Sequence, residues 1–443
     1  MSPRSYSGVL QVFVSAILLS AVSVAQEPAM PDRSSATFTA SSRLVVIDVV
    51  ATDKNSAVID LQRDNFVVYE DGKPQQVVSF DVHAGVLQTA PDRPSAATGL
   101  SASPQNQGPL NIVLLDALNT EVEYQVGARR QMLQFLRELP TGPTIAVFAL
   151  GSSLRLLQPP TSDPTHLSTL VAKLLPARSP VLTTQQEKEE EENWILELKD
   201  AGMALPPQVI ENIRQFLAET QAARDDRRIR ITLDAFQQIG GAVASYPGRK
   251  NLIWLSGGFP FSFGPNDQLR DPMSVQRNYF DVVQRTAALL SSHQVAVYPI
   301  DVRGLLPITN SASTPAYVAS ARTEGLMNDR RIAVVDPQTT MQELAKMTGG
   351  TAFYNRNDLG VAIRQSIEQG SSYYSIGYVP QNPRWDGKFR RVEVKLLHRK
   401  ASLSYRRGYY ARRDGPEAAI VPPPKKIETQ QATSLQVRYP GSS

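Results

Sequence analysis

The stretch Pro109-Leu110-Asn111-Ile112-Val113-Leu114-Leu115-Asp116-Ala117-Leu118-Asn119-Thr120 decides how the rest of the chain is read. A short apolar run ends in a carboxylate, a small polar segment follows, and a helical pattern begins near Tyr124. An apolar run without polar alternation suits a strand buried on both faces of a parallel sheet. In an open α/β sheet the loop past the strand's carboxyl end lines the ligand crevice, so Asp116 is placed at the functional edge.

Working outward, residues 124–139 carry Met132, Phe135, Leu136 and Leu139 at helical spacing and stop at Pro140. Residues 144–150 read as a strand. Residues 154–157 follow so tight a turn, Gly151-Ser152-Ser153, that they must form an antiparallel edge. Thr161-Ser162-Asp163-Pro164 reads as a helix start, with Leu167, Leu170, Val171 and Leu174 as the buried stripe. Further strands are expected at 251–255, 295–300 and 351–354, with helices at 229–244, 275–292 and 340–347. This alternation predicts an α/β fold: a doubly wound, mostly parallel six-stranded sheet. Residues 176–228 break the rhythm as a helical insertion, whose acidic run at 187–192 reads as a solvated face. The long stretches 257–272 and 303–338 follow strands, and irregular stretches of that length are usually binding loops or disordered segments.

Both flanks are β. Runs at 44–51, 66–69 and 76–80 precede the α/β region, with Asp71-Gly72 as a hairpin signal. Alternating runs at 373–379, 389–397 and 402–410 follow it. Neither set is thick enough alone, so they are expected to pack into one antiparallel β domain. The expected division is a signal peptide at 1–25, an N-terminal β segment at 26–83 and a linker at 84–108. An α/β domain at 109–370, a C-terminal β segment at 371–411 and a disordered tail at 412–443 complete it.

The chain has 443 residues, a formal net charge of +4 and no cysteine. Disulfides, thiol catalysis and Cys-based zinc sites are thereby excluded. Basic residues are scattered, which argues against nucleic acid as a partner. Arg4, the apolar stretch 9–22 and Ser23-Val24-Ala25 before Gln26 read as a cleaved secretory signal. No later segment is long and apolar enough to span a bilayer, so an exported protein, periplasmic or secreted, is expected. There is no Gly-x-Ser-x-Gly elbow, no phosphate-cradling loop and no His-Glu-x-x-His. His83, His166, His293 and His398 sit where ordinary histidines sit. The protein is therefore expected not to be an enzyme.

The strand ending in Asp116, its following helix and the run Leu252-Ile253-Trp254-Leu255-Ser256-Gly257-Gly258 resemble a von Willebrand factor type A domain. Residues 66–75, Leu115-Asp116-Ala117-Leu118-Asn119-Thr120, the run 247–259 that opens Pro247-Gly248-Arg249-Lys250-Asn251, and Ser372-Tyr373-Tyr374-Ser375-Ile376-Gly377-Tyr378 resemble the VWFA-related Acidobacterial domain family. This likeness spans residues 40–411 and implies a secreted protein that works by adhesion or complex formation. A metal-dependent type A domain uses Asp-x-Ser-x-Ser, a loop threonine and a final aspartate. By resemblance, Asp116, Thr120 and Thr232 fall at ligand positions. Leu118 stands where a serine is needed, and Ser256 replaces the final aspartate. The implied site is degenerate: no cofactor, or Mg2+ held weakly at most. Asp116 then serves equally well as an acceptor for backbone N–H groups. Asn119, Ser256 and Asp301 are expected on a rim that meets a protein or peptide ligand. The alternative is a structural component of a cell-envelope or secreted assembly that pairs through its β domain; a hydrolase is the least supported account.

Overall fold

The computed structural model describes residues 44–54, 56–85, 108–139, 142–200, 206–305 and 337–412. The expected signal peptide, most of the linker, most of the 303–338 loop and the tail lie outside the described residues. Before the α/β region run β1 (Val45–Asp53), β2 (Ser56–Ala57), β3 (Phe66–Glu70), β4 (Lys73–Gln75) and β5 (Val77–His83). Then come β6 (Leu110–Asp116), α1 (Val122–Glu138), β7 (Ile145–Leu150), β8 (Leu154–Thr161) and α2 (Pro164–Lys173). Next are α3 (Gln185–Asp200), α4 (Pro207–Ala242), β9 (Lys250–Ser256), β10 (Ser262–Phe263), β11 (Arg277–Asn278) and α5 (Phe280–Ser292). The chain continues through β12 (Val295–Asp301), α6 (Pro337–Thr348), α7 (Leu359–Ser371), β13 (Tyr373–Tyr378), β14 (Phe389–Leu396), β15 (Ser402–Ser404) and β16 (Gly408–Tyr410).

The central sheet has the order β12-β9-β6-β7-β8, parallel throughout except for β8, which runs antiparallel at the edge. It has five strands, not the expected six. The run at 351–354 contributes one parallel bridge, Ile300 to Phe353. Gly349-Gly350 explains why. Gly350 lies so close to β12 that a Cβ there would stand 2.0 Å from the Val297 carbonyl oxygen, and Gly349 has φ +80°. The chain crosses β12 too tightly for a longer ladder to form. Helices cover both faces. Ile112, Leu114, Phe236, Trp254 and Leu290 build one core with α4 and α5. Val113, Phe135, Val171, Ile253 and Ile363 build the other with α1, α2 and α7. The side chains of β6 alternate between these two cores, as its uninterrupted apolar reading requires.

The β segments form two antiparallel sheets, β15-β1-β13-β5 and β16-β14-β3-β4. They bury one core of Ile47, Val49, Phe66, Val68, Tyr374, Ile376, Tyr378 and Val392. Strands from before and after the α/β lobe are interleaved: β1 pairs with β13, and β3 with β14. Tyr373, Tyr374, Tyr378, Tyr405 and Tyr409 are buried, so they are core residues and do not present an aromatic contact surface. The Gly248-Arg249-Lys250-Asn251 stretch ties the two lobes together. Gly248 turns at φ +68°. Arg249 Nη2 donates to Tyr298 Oη at 3.1 Å and to the Gly349 carbonyl at 2.6 Å, while its backbone N–H reaches Tyr373 Oη at 3.4 Å. Asn251 Nδ2 donates to Asn111 Oδ1 at 3.0 Å.

Candidate functional site

The end of β6 sets the site. Asp116 alternates with Leu115 and therefore faces α4 and β9, on the side that Leu114 also occupies. Its carboxylate accepts five hydrogen bonds. Oδ1 takes the backbone N–H of Leu118 at 3.1 Å and of Asn119 at 3.0 Å. Oδ2 takes Asn119 Nδ2 at 2.7 Å, Ser256 Oγ at 2.8 Å and Trp254 Nε1 at 2.9 Å. A carboxylate offers about four lone-pair positions, so this one is saturated. Burial pushes the Asp116 carboxyl above its ordinary value, against the opposing pull of Asn119, Ser256 and Trp254.

Asn119 carries the network to α4. Its Nδ2 also donates to Thr232 Oγ1 at 2.8 Å, and its Oδ1 accepts from Arg228 Nη1 at 3.1 Å. Arg228 is only 6% exposed and is paired with Asp225 at 2.7 Å. Its Nε has no hydrogen-bond partner among the described residues. Thr232 Oγ1 donates to the Arg228 carbonyl at 2.9 Å, and Thr120 Oγ1 accepts from the Gly257 N–H at 3.1 Å. Asp116, Asn119, Thr232 and Ser256 thus share one buried network, with Thr120 beside it. Asp301 stands outside: in register with Ser256 on the neighbouring strand, it is held by Arg303 and by Gln338 at 2.9 Å.

Asn119, Ser256 and Asp301, expected on a contact rim, are all buried. For Asp116, Thr120 and Thr232, every side-chain oxygen that a cation would need already has a protein partner. Leu118 is buried in the core and the Trp254 indole N–H occupies the carboxylate. A Mg2+ ion demands several oxygen ligands in an octahedral shell, and this donor-saturated set does not fit one. Among the described residues, no group of three or more His, Asp or Glu could hold a metal. Arg228 instead brings a fixed positive charge to Asn119.

Above the network stand the insertion and the loop after β9. Gln215 Nε2 on α4 donates to Ser274 Oγ at 2.7 Å, and Gln215 Oε1 accepts from the Asp271 N–H at 3.2 Å. Tyr279 Oη donates to Asp226 at 2.7 Å, and Arg230 pairs with the same residue at 2.8 Å. Next to Gln215 and Ser274 in sequence, Phe216 and Met273 are exposed, at 67% and 58%, and on α3 Trp194 is 49% exposed. The charged run of α3 has exposed side chains at Lys188, Glu189 and Glu190. Two of the four histidines serve packing and local bonding: His83 stacks on Tyr373, and His166 Nε2 is 2.9 Å from Gln158 Oε1.

The Asp226 junction gives a pH test. Burial raises this carboxyl, but Arg230 and Tyr279 outweigh burial and hold it below its ordinary value of 3.8. A carboxylate depressed in the folded state contributes stability above its unfolded value and loses it as pH falls through the folded value. The Tm advantage of the wild type over Asp226→Asn is therefore expected at neutral pH and should shrink below about pH 3.8. Thermal unfolding of both proteins across the acid range checks it; an advantage that grows on acidification overturns the assignment.

No family model matches the chain, and no curated protein matches it. Solved structures similar to it include an aerotolerance-related membrane protein from Bacteroides fragilis, 14% identical, covering 59% of this chain and 100% of its own, with a TM-score of 0.29. BatB from Bacteroides thetaiotaomicron is 16% identical over 59% of this chain and 98% of its own, at 0.27. The SpRpn10 VWA domain is 10% identical over 59% and 98%, at 0.26. At such scores these likenesses carry no argument about what the chain does.

Proposed function

We propose that the chain is an exported, non-enzymatic binding module of the von Willebrand factor A type. It captures a protein partner through the insertion and the loop after β9, and it does so without a divalent ion. The observation that carries this reading is the exposure of Trp194, Phe216 and Met273 on the insertion and the loop after β9. Phe216 and Met273 flank the Gln215 to Ser274 hydrogen bond, so a buttressed junction presents them. Large apolar anchors on a firm base are what a binding hot spot is made of. The ion-free part of the reading rests on the saturated Asp116 carboxylate.

Affinity capture from the envelope of the exporting cell tests it, with the wild type and a Trp194→Glu, Phe216→Glu variant as baits. The variant is expected to keep its Tm and lose the captured partner, while EDTA leaves wild-type capture unchanged. Capture that survives both substitutions, or that EDTA abolishes and Mg2+ restores, overturns the proposal. One observation favours a second reading, assembly through the β lobe. The edge strand β5 carries Val78 and Val82, each about half exposed, and open edges pair with other strands.

A further inference from the structure

Under the edge where β6 ends, on the side of the sheet that Leu115 and Leu255 occupy, a pocket of about 140 Å3 opens, with Asp116 and Thr120 in its lining. Leu115 of β6, Ala128 of α1, Leu157 of β8, Val171 and Leu174 at the end of α2, and Leu255 of β9 make it apolar. Its wall is clipped in place by one side chain. Gln125 donates to the Thr120 and Ala177 carbonyls at 2.7 and 2.9 Å and accepts from the Ala177 N–H at 2.9 Å. Leu175 is 85% exposed beside it. A dry cavity of roughly 150 Å3 takes a benzene ring, so the space suits one aromatic or branched aliphatic side chain.

Asp116 also lines the pocket, but its carboxylate is bonded to Leu118, Asn119, Trp254 and Ser256, so two arginines give the pocket its sign. Arg129 Nη1 donates to the Leu174 carbonyl at 2.5 Å, and Arg155 is exposed on the lining. Among the described residues neither is in an ion pair. We infer that this pocket seats a single phenylalanine- or leucine-sized side chain of a partner polypeptide, carried next to a carboxylate that the Arg129 and Arg155 guanidinium groups meet. The inference rests on the protein-binding reading above and names the chemistry of the partner. Guanidinium groups select carboxylates and repel amines. Because exposed charge pairs are weak, charge is expected to discriminate by roughly three- to tenfold, with the apolar group supplying most of the affinity.

The probes are 3-phenylpropionate, 3-phenylpropylamine and propionate, titrated into the full chain by saturation-transfer NMR. The expected order places 3-phenylpropionate first, at roughly millimolar affinity, the amine several-fold weaker and propionate undetected. Arg155→Glu, a surface change, should reverse the preference for acid over amine, and Ala128→Leu should fill the space and remove both aromatic probes. Equal binding of acid and amine, an unchanged preference in Arg155→Glu, or no aromatic binding at roughly 10 mM overturns the inference. The probes need no partner protein. A negative here therefore overturns the pocket while capture through α3, α4 and the β9 loop stands, and a failed capture leaves the probe result as it was.

Discussion

Asp116→Ala is expected to cost about 3–5 kcal/mol of folding stability, because three side-chain donors and two backbone N–H groups lose their acceptor in a site closed to water. Trp254 Nε1, Ser256 Oγ, Asn119 Nδ2 and the N–H groups of Leu118 and Asn119 all end on this carboxylate. Each orphaned donor costs about 1–3 kcal/mol, and the sum is reduced by local relaxation and by removing a desolvated charge. Against a typical net stability of about 5–15 kcal/mol, the remainder is large. Urea unfolding of the two proteins measures it. A metal-ligand aspartate on an open rim would behave oppositely: its removal would leave the fold nearly unchanged and abolish any stabilisation by Mg2+. A loss below about 1 kcal/mol, together with a Mg2+ response in the wild type, would sink the structural role.

The second large effect lies in the β lobe. Glu70 and Arg390 form an ion pair at 3.1 Å, with both side chains almost wholly buried. Glu70 also accepts from Tyr378 Oη at 2.8 Å and Tyr409 Oη at 2.7 Å, while Arg390 Nη1 reaches the Asn382 carbonyl at 2.9 Å. Burial and the neighbouring carboxylate push both tyrosine hydroxyls up, so they remain donors. Arg390→Met should cost about 3–5 kcal/mol, because it leaves a carboxylate buried without its cation. Adding Glu70→Gln should recover part of that loss, since the uncompensated charge is then gone. The cycle is read by denaturant unfolding. No recovery in the double variant would mean that Arg390 acts mainly through packing on Trp385 and Tyr409, whose rings lie 5.4 and 5.9 Å from its guanidinium.

Much of the central sheet can be read from residue order alone. The apolar run into Asp116, the strand into Ser256 and the Asp163-Pro164 helix start depend on local pattern, and Asp163 does cap α2 by accepting from Thr165 and His166. The turn at Asp71-Gly72 takes the positive φ angles that its residues favour. Helix α7 is not among the helices expected from the sequence, although Leu359, Ile363 and Ile367 recur on it at helical spacing. The rest of its buried side is Ala362, Ser366, Gln369 and Gly370, small or polar residues that thin the apolar stripe. Gly370 is there because a Cβ would collide with Asn251, a neighbour distant in sequence. Arg228 is hidden for a related reason. In Arg224-Asp225-Asp226-Arg227-Arg228 it looks like part of a solvated helix face. Only the tertiary fold turns this one guanidinium inward, to Asn119. Likewise nothing local marks the Trp254 indole as a donor to Asp116. The residues of the network are visible as polar groups at strand ends, but their mutual saturation is a three-dimensional fact.

The interleaving of β1 with β13 and of β3 with β14 has a consequence for biosynthesis. As the polypeptide leaves the ribosome, the first five strands emerge well before their pairing partners. The α/β lobe between them is complete earlier and can fold on its own schedule. Until the final strands arrive, Ile47, Val49, Phe66 and Val68 have no sheet to cover them, which makes the nascent amino-terminal segment a natural client for a holding chaperone.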